Sequence, residues 1–447
     1  MLQLCHQLVP LGFTFTFVNT HHNHQRLLQS AFNLMRTCHP IRMIFVEGGC
    51  PPEHHAHSST IKGAFGAAQN MREQVEQLLP SIMEDKPVDF ILADILFSWA
   101  SITANNFGLP WVCFWSASAA TCACFLHYAE LSQQGTTHIS IAGKQDGEVP
   151  VIENIPGLPP TSLNDVPKVW DEAGKLSVEF LKSFNLAVHQ ASFLLINTFS
   201  ELEGQADANY RPDKSKEELG EQELVSRPNL FREDKTCLEW LDKQASSSVL
   251  FISFGSISAR TELQLEELAR GVEASGCPLL WVRRPDNSLD FTLGQQLSDA
   301  HQHGNGLIVP WAPQLEVLSH PAIGCFVTHC GWNSVLESVT LGVPMLCWAD
   351  MGKRMCNQRF VVQVWKCGLD MVPNTKARYK QLIDNAVLIV RDDIEKSIRC
   401  LMEEEKGASI RTRVAKLRDV AISTFRSFDL HFHHFVQAMQ HSGLHSK

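Results

Sequence analysis

Along the first half of the chain, short apolar runs rich in β-branched and aromatic residues alternate with amphipathic stretches. The runs fall at Phe13 to Asn19, Met43 to Val46, Phe90 to Ala93, Trp111 to Trp115 and Phe193 to Asn197. That rhythm predicts βαβ units and a parallel sheet. Between Glu201 and Lys235 the apolar pattern stops, and charges gather at Asp213, Lys214, Lys216, Glu217, Glu218 and Glu221, marking an interdomain linker. The rhythm then resumes. A strand over Ser248 to Ser253 runs into Phe254-Gly255-Ser256, and Thr261 and Gln264 stand at capping-box spacing ahead of a helix whose apolar face carries Leu265, Leu268, Ala269 and Val272. Further strands are expected at Leu279 to Arg283, Leu307 to Val309, Cys325 to Thr328 and Pro344 to Cys347. The pattern predicts two doubly wound α/β domains facing a cleft, over residues 1–222 and 223–447, with the C-terminal helix packing back on the first.

Composition narrows the class. At 447 residues, with 44% hydrophobic and 19% charged positions, the chain is long enough for two separate cores. A formal net charge of -10 argues against nucleic acid as a partner. The fourteen cysteines include no CxxC pair, which fits reduced thiols in a cytoplasmic protein. No basic segment follows Met1, so no secretory signal is expected. Trp111 to Tyr128 is uncharged, but it is rich in Ser, Thr, Ala and Cys and follows Pro110, so a buried strand plus helix is expected rather than membrane insertion. Three histidine groups (His21, His22, His24; His54, His55, His57; His431, His433, His434) lack a carboxylate at HExxH spacing, and no metal site is expected. No GxGxxG follows a first strand, which disfavours a dinucleotide dehydrogenase.

The stretch from Trp311 to Arg354 carries the candidate chemistry. A strand over Gly324 to Thr328 ends in His329-Cys330-Gly331-Trp332-Asn333-Ser334 and a helix follows. Gly331 permits a tight turn, and a helix N-terminus behaves as about half a positive charge, a metal-free place for a phosphate. His329 can add a donor. Asn333 and Ser334 suit a helix start, and taken singly such residues more often merely cap it. Trp311 follows a strand and a Pro, leaving its indole as a platform on which a base would gain about 1–3 kcal/mol by stacking. Glu337, one turn beyond Ser334, can accept from two ribose hydroxyls. Platform, cradle and acceptor in that order describe a nucleotide site.

The segment "WAPQLEVLSHPAIGCFVTHCGWNSVLESVTLGVPMLCW" resembles the signature box of the plant family-1 UDP-dependent glycosyltransferases. Similarity extends through Phe17-Val18-Asn19-Thr20 with Asn23-His24, Ile155-Pro156-Gly157, Asn197-Thr198-Phe199, Cys237-Leu238-Glu239-Trp240-Leu241-Asp242 and Ser253-Phe254-Gly255-Ser256. The resemblance implies the GT-B fold of two Rossmann-like domains, an inverting reaction, no metal or other cofactor, and a UDP-sugar co-substrate, by default UDP-glucose. By its motif Trp311 and the Ala312 backbone hold uracil and Gln314 and Glu337 the ribose. Ser256, His329, Asn333 and Ser334 hold the diphosphate, and Trp332 the sugar. Asp94, ending the Phe90 to Ala93 strand, matches the family Asp that orients a catalytic His; by itself an Asp there also reads as a helix cap. The acceptor is expected to be a small hydrophobic phenol or terpenoid, bound by a monomeric enzyme around Phe97, Trp99, Phe114, Trp115 and the helix to Tyr128; each of these aromatics taken singly reads more often as core packing.

Three features depart from the family pattern. The family places a first strand and a Gly-His turn ahead of this helix, and that His is the general base; the sequence opens inside the helix at Met1-Leu2-Gln3-Leu4, with His6 already on it. Without a base, transfer is expected to be slower by about 10²–10⁴, leaving a UDP-sugar-binding pseudoenzyme or truncated product as the alternative. Lys353 and Arg354 stand where the family has an acidic residue and Gln. Cations cannot accept from sugar hydroxyls, so either Asp350 takes that role or the donor is an acidic sugar paired with Arg354. The linker also lacks the apolar strand that relatives carry there.

Overall fold

The computed structural model describes residues 1–21, 23–25, 41–47, 68–133, 151–152, 155–162, 165–166, 175–207, 234–255, 260–283, 306–349, 353–371, 388–426 and 430–442. The first lobe opens with helix α1 (Leu2–Leu8), strand β1 (Phe15–Thr20) and β2 (Ile41–Val46). It continues through α2 (Arg72–Asp85), β3 (Ile91–Asp94), α3 (Ala100–Asn106), β4 (Trp111–Trp115) and α4 (Ala119–Gln133). A small hairpin, β5 (Val151–Ile152) with β6 (Thr161–Ser162), precedes α5 (Lys175–Gln190), β7 (Phe193–Ile196) and α6 (Ser200–Asp207). The uncharged run after Pro110 is thus a buried strand and a helix, as its composition indicates. No helix among the described residues is long and apolar enough to cross a membrane.

The five long strands of this lobe are parallel but fall into two sheets, β1-β2 and β3-β4-β7. Their entries adjoin: the Phe13 ring meets the edge of Phe90 with centroids 6.1 Å apart. Helix α6 corrects the expectation that regular structure ends at Glu201. Its acidic sequence hides the signal, because Leu202 is buried together with the carboxylate Glu203 while Glu201 is exposed. The charged run from Asp213 to Glu221 lies outside the described residues.

The second lobe is one sheet of six parallel strands: β8 (Val249–Ser253), β9 (Leu279–Val282), β10 (Gly306–Val309), β11 (Ile323–Thr328), β12 (Met345–Cys347) and β13 (Gly368–Asp370), ordered β10-β9-β8-β11-β12-β13. Central strands buried on both faces must be apolar throughout. Accordingly Leu250, Ile252, Cys325 and Val327 pack on one side, and Val249, Phe251 and Phe326 on the other. Strand β13 went unread because three residues beginning with Gly carry no periodicity.

Around the sheet lie α7 (Thr236–Leu241), α8 (Glu262–Ser275), α9 (Gln314–Ser319), α10 (Trp332–Leu341), α11 (Lys353–Arg359), α12 (Arg391–Met402) and α13 (Glu405–Arg426). Helix α8 begins with the expected capping box of Thr261 and Gln264. The last helix, α14 (Leu430–Ser442), returns to the first lobe, where Phe435, Val436 and Met439 pack with Leu8 and Val112.

Candidate active site

In a parallel sheet ordered this way, the strand order reverses between β8 and β11, and ligands in such sheets sit in the crevice beyond the carboxyl ends at that point. Both loops at that point are built around one ring. Gly255 follows β8 with φ +69°, and a Cβ there would stand 2.7 Å from Cε1 of His329; a Cβ on Gly331 would stand 2.6 Å from Nε2 of the same ring. His329 is therefore held between two glycine backbones, which explains why Phe-Gly-Ser and His-Cys-Gly occur where they do.

Beyond His329 the chain makes a left-handed turn at Cys330 (φ +60°), uncommon for a residue with a side chain, and enters α10. The helix starts at Trp332 with Gly331 as its N-cap, and no side chain caps it. Asn333 and Ser334 thus sit inside the first turn and do not cap it, so the simple capping explanation is set aside. The first-turn N–H groups, which have no intrahelical acceptor, follow directly on the Gly331 backbone that packs against His329.

Gln314 at the start of α9 donates through Nε2 to Glu337 Oε2 at 2.6 Å and to Ser334 Oγ at 3.1 Å. The structure therefore joins both expected ribose residues, and adds Ser334 to them. Glu337 and Ser334 are buried at 7% and 8% exposure, so this network is largely desolvated and its polar atoms are specified in direction. Trp311, half-buried, lies just past β10 with its carbonyl accepting from Asp234 N–H, and Ala312 is buried behind it. Ser256 and Asp350 lie outside the described residues.

Two of the expected site residues also fasten the lobes together. The Trp332 indole donates to the Asn197 carbonyl at 2.6 Å, and Asn197 Nδ2 donates to Asn333 Oδ1 at 3.3 Å. Asn197, at the exit of β7, is a contributor that sequence spacing did not single out. Arg260 also went unread: its guanidinium lies 4.9 Å from the Phe254 and Trp348 ring centroids and donates to the Trp348 carbonyl, fixing a cation between the residues that follow β8 and β12.

Across the crevice, Asp94 ends β3 and accepts from Leu96 N–H at 3.0 Å, so it does cap the following turn. Met1, just ahead of α1, lies within electrostatic reach of that carboxylate. Burial holds the Met1 α-amino group below its usual value, and Cys5 and Asp94 oppose this. Trp99 and Trp115, expected to line an acceptor pocket, are core residues instead. The Trp99 indole donates to Ala68 O, and fully buried Trp115 packs on Phe125 and Phe184 and donates to Ser118 O. Phe97 and Phe114 remain half-buried. Alternation along β4 explains the division, since Phe114 points opposite to Trp115.

Two lobes of parallel α/β structure, joined through Trp332 and Asn197, match the GT-B architecture. Comparison with known proteins agrees. The model of the UDP-glucoronosyl and UDP-glucosyl transferase family matches residues 231–397. The 7-deoxyloganetin glucosyltransferase of Catharanthus roseus is 30% identical, covering 94% of this chain and 88% of that protein. Linamarin synthase 1 of Manihot esculenta is also 30% identical, over 94% and 89%. Among solved structures, a Polygonum tinctorium UDP-glucosyltransferase capable of glucosylating indoxyl superposes with a TM-score of 0.78 at 26% identity, over 99% and 95%. The chain of UDP-glucose: anthocyanidin 3-O-glucosyltransferase in complex with UDP shares the fold, with a TM-score of 0.76 at 23% identity, over 98% and 94%. The chain belongs to the plant family-1 UDP-glycosyltransferases and is a glycosyltransferase.

Proposed function

We propose that the protein transfers a hexose, by default glucose, from a UDP-sugar to a hydroxyl of a small hydrophobic acceptor, a phenol or terpenoid, with inversion at the anomeric carbon. The observation that carries this reading is the convergence, at the reversal between β8 and β11, of His329, the α10 N-terminus and the Gln314–Glu337 pair. In it Trp311 and the Ala312 backbone take uracil, and Gln314 and Glu337 the ribose. His329, Asn333, Ser334 and Ser256 take the diphosphate, and Trp332 and Asp350 border the sugar. Residues 1–222 form the acceptor domain and 223–447 the donor domain of a monomeric, cytoplasmic enzyme. The free cysteines fit a reducing compartment. Relatives named for 7-deoxyloganetin and linamarin support a small-molecule acceptor.

The acceptor oxygen attacks the anomeric carbon as its bond to the UDP oxygen breaks. Negative charge develops on the diphosphate, where His329 and the first-turn amides of α10 stabilise it without a metal. In the family that the sequence resembles, the acceptor proton passes to a His ahead of this first helix, oriented by the Asp that Asp94 matches. The test supplies UDP-glucose and UDP-glucuronic acid separately with phenolic and terpenoid alcohols. A β-linked glucoside identified by mass and anomeric coupling supports the reading; product from UDP-glucuronic acid alone assigns Arg354 the donor's carboxylate and overturns glucose. Donor binding without any product favours the pseudoenzyme.

A further inference from the structure

The turn at Cys330 is held by a residue remote from the crevice in sequence. Asn357, buried to 2% exposure in α11, donates through Nδ2 to the Cys330 carbonyl at 2.9 Å. A carbonyl accepts only, so this bond fixes the amide's orientation and turns Oδ1 the other way. There it accepts from Ser118 Oγ at 3.0 Å, and Ser118 belongs to the first lobe. Ser118 is itself 1% exposed and precedes α4, accepting from Thr121 N–H with the same oxygen at 3.2 Å. Both bridge residues adjoin in sequence the buried apolar cluster that includes Ala119, Ala120 and Cys356, and their own burial leaves little access for water.

We infer that Asn357 is a positioning residue coupling the seating of the first lobe, through Ser118, to the Cys330 turn that aims His329 and α10 at the donor. A non-glycine residue in the left-handed region persists only where its surroundings over-determine it. Cys330 N–H donates to Thr328 Oγ1 at 3.2 Å, and Asn357 supplies the hold on its carbonyl. The bond from Ser118 keeps the Asn357 side chain aligned for that task. A first-lobe hydroxyl thereby influences affinity for a nucleotide bound by the second lobe. The inference rests on the diphosphate reading of His329 and α10.

Calorimetry with UDP on the full chain tests it, using S118A, S118T, N357D, E203Q and H329A. Loss of one buried neutral hydrogen bond predicts that S118A weakens UDP about fivefold to tenfold, and N357D at least as much. S118T keeps the hydroxyl and stays within about twofold of the parent. Glu203 accepts from the Ala119 and Ala120 N–H groups, so E203Q loosens the start of α4 without touching the bridge. It lowers Tm and leaves UDP affinity in place. The inference is overturned if S118A binds UDP like the parent while H329A does not, or if E203Q weakens UDP as much as S118A. Should N357D not fold, S118A against S118T decides alone. If H329A also binds UDP normally, the diphosphate reading itself fails.

Discussion

The ring of His329 occupies the volume that a side chain on Gly255 would need, 2.7 Å from the position of its Cβ. The two residues lie on loops after β8 and β11, so this contact fixes the width of the crevice where the sheet reverses. Gly255→Ala adds both a clash and a left-handed alanine, the latter alone destabilising by about 1–2 kcal/mol. Expected are a lower Tm and UDP affinity reduced by about tenfold or more, corresponding to at least 1.4 kcal/mol. Parental UDP binding by Gly255→Ala would show that His329 need not sit there.

The Gln314–Glu337 hydrogen bond makes a prediction about the ribose. A carboxylate accepting from sugar hydroxyls contributes about 1.5–3 kcal/mol, so Glu337→Ala weakens UDP by about tenfold to a hundredfold. The more specific readout compares UDP with 2′-deoxy-UDP. The parent prefers UDP and Glu337→Ala loses most of that preference. Equal discrimination in both proteins would remove Glu337 from the ribose.

Much of the second lobe was legible because its central strands are buried on both faces and one of its helices opens with a capping box. Thr261 and Gln264 announce α8, and the run from Ile323 to Thr328 reads as a central strand. Ser334 and Glu337 were legible as a pair one helical turn apart, and Gln314 only through the resemblance; the structure joins all three between α9 and α10. Asn197 and Asn357 were not, because each acts on the crevice through a tertiary hydrogen bond that no spacing encodes. Trp99 and Trp115 fell to the core reading that each aromatic carried when taken singly; their sequence neighbourhood alone did not divide them from Phe97 and Phe114. Helix α6 was hidden by its charges.

Burial makes a prediction about thiol chemistry. It pushes Cys5 up to about 11 and Cys113 and Cys367 up to about 12. Among the described cysteines only Cys277 and Cys400 are not fully buried, and their thiols are raised too. Iodoacetamide at neutral pH should leave all ten buried described cysteines unmodified in the native protein and label them after denaturation. Native labelling of Cys330 or Cys347, read by peptide mass mapping, would show the donor loop to be open.

Acid stability provides a further check. Glu267 accepts from Arg391 through both oxygens, at 2.6 Å from Nη2 and 2.7 Å from the backbone N–H. The side-chain bond first, then the backbone bond, lowers the Glu267 pKa below its usual value. A depressed folded pKa gives stability that is present above the unfolded pKa of about 4.3 and is lost as pH falls through the folded one. Glu267→Gln should lower Tm near neutrality and show a shallower decline than the parent below about pH 4.5. Parallel Tm profiles would mean that the pair contributes nothing in acid.

The most direct measurement of the account is UDP titrated into the purified protein by calorimetry, without added metal, alongside Trp311→Ala and His329→Ala. The account predicts saturable binding of one UDP per chain. Trp311→Ala should weaken it by about 1–3 kcal/mol through lost stacking, and His329→Ala should weaken UDP more than it weakens uridine. No binding to the parent, or binding indifferent to both substitutions, would contradict the placement of the nucleotide between β8 and β11.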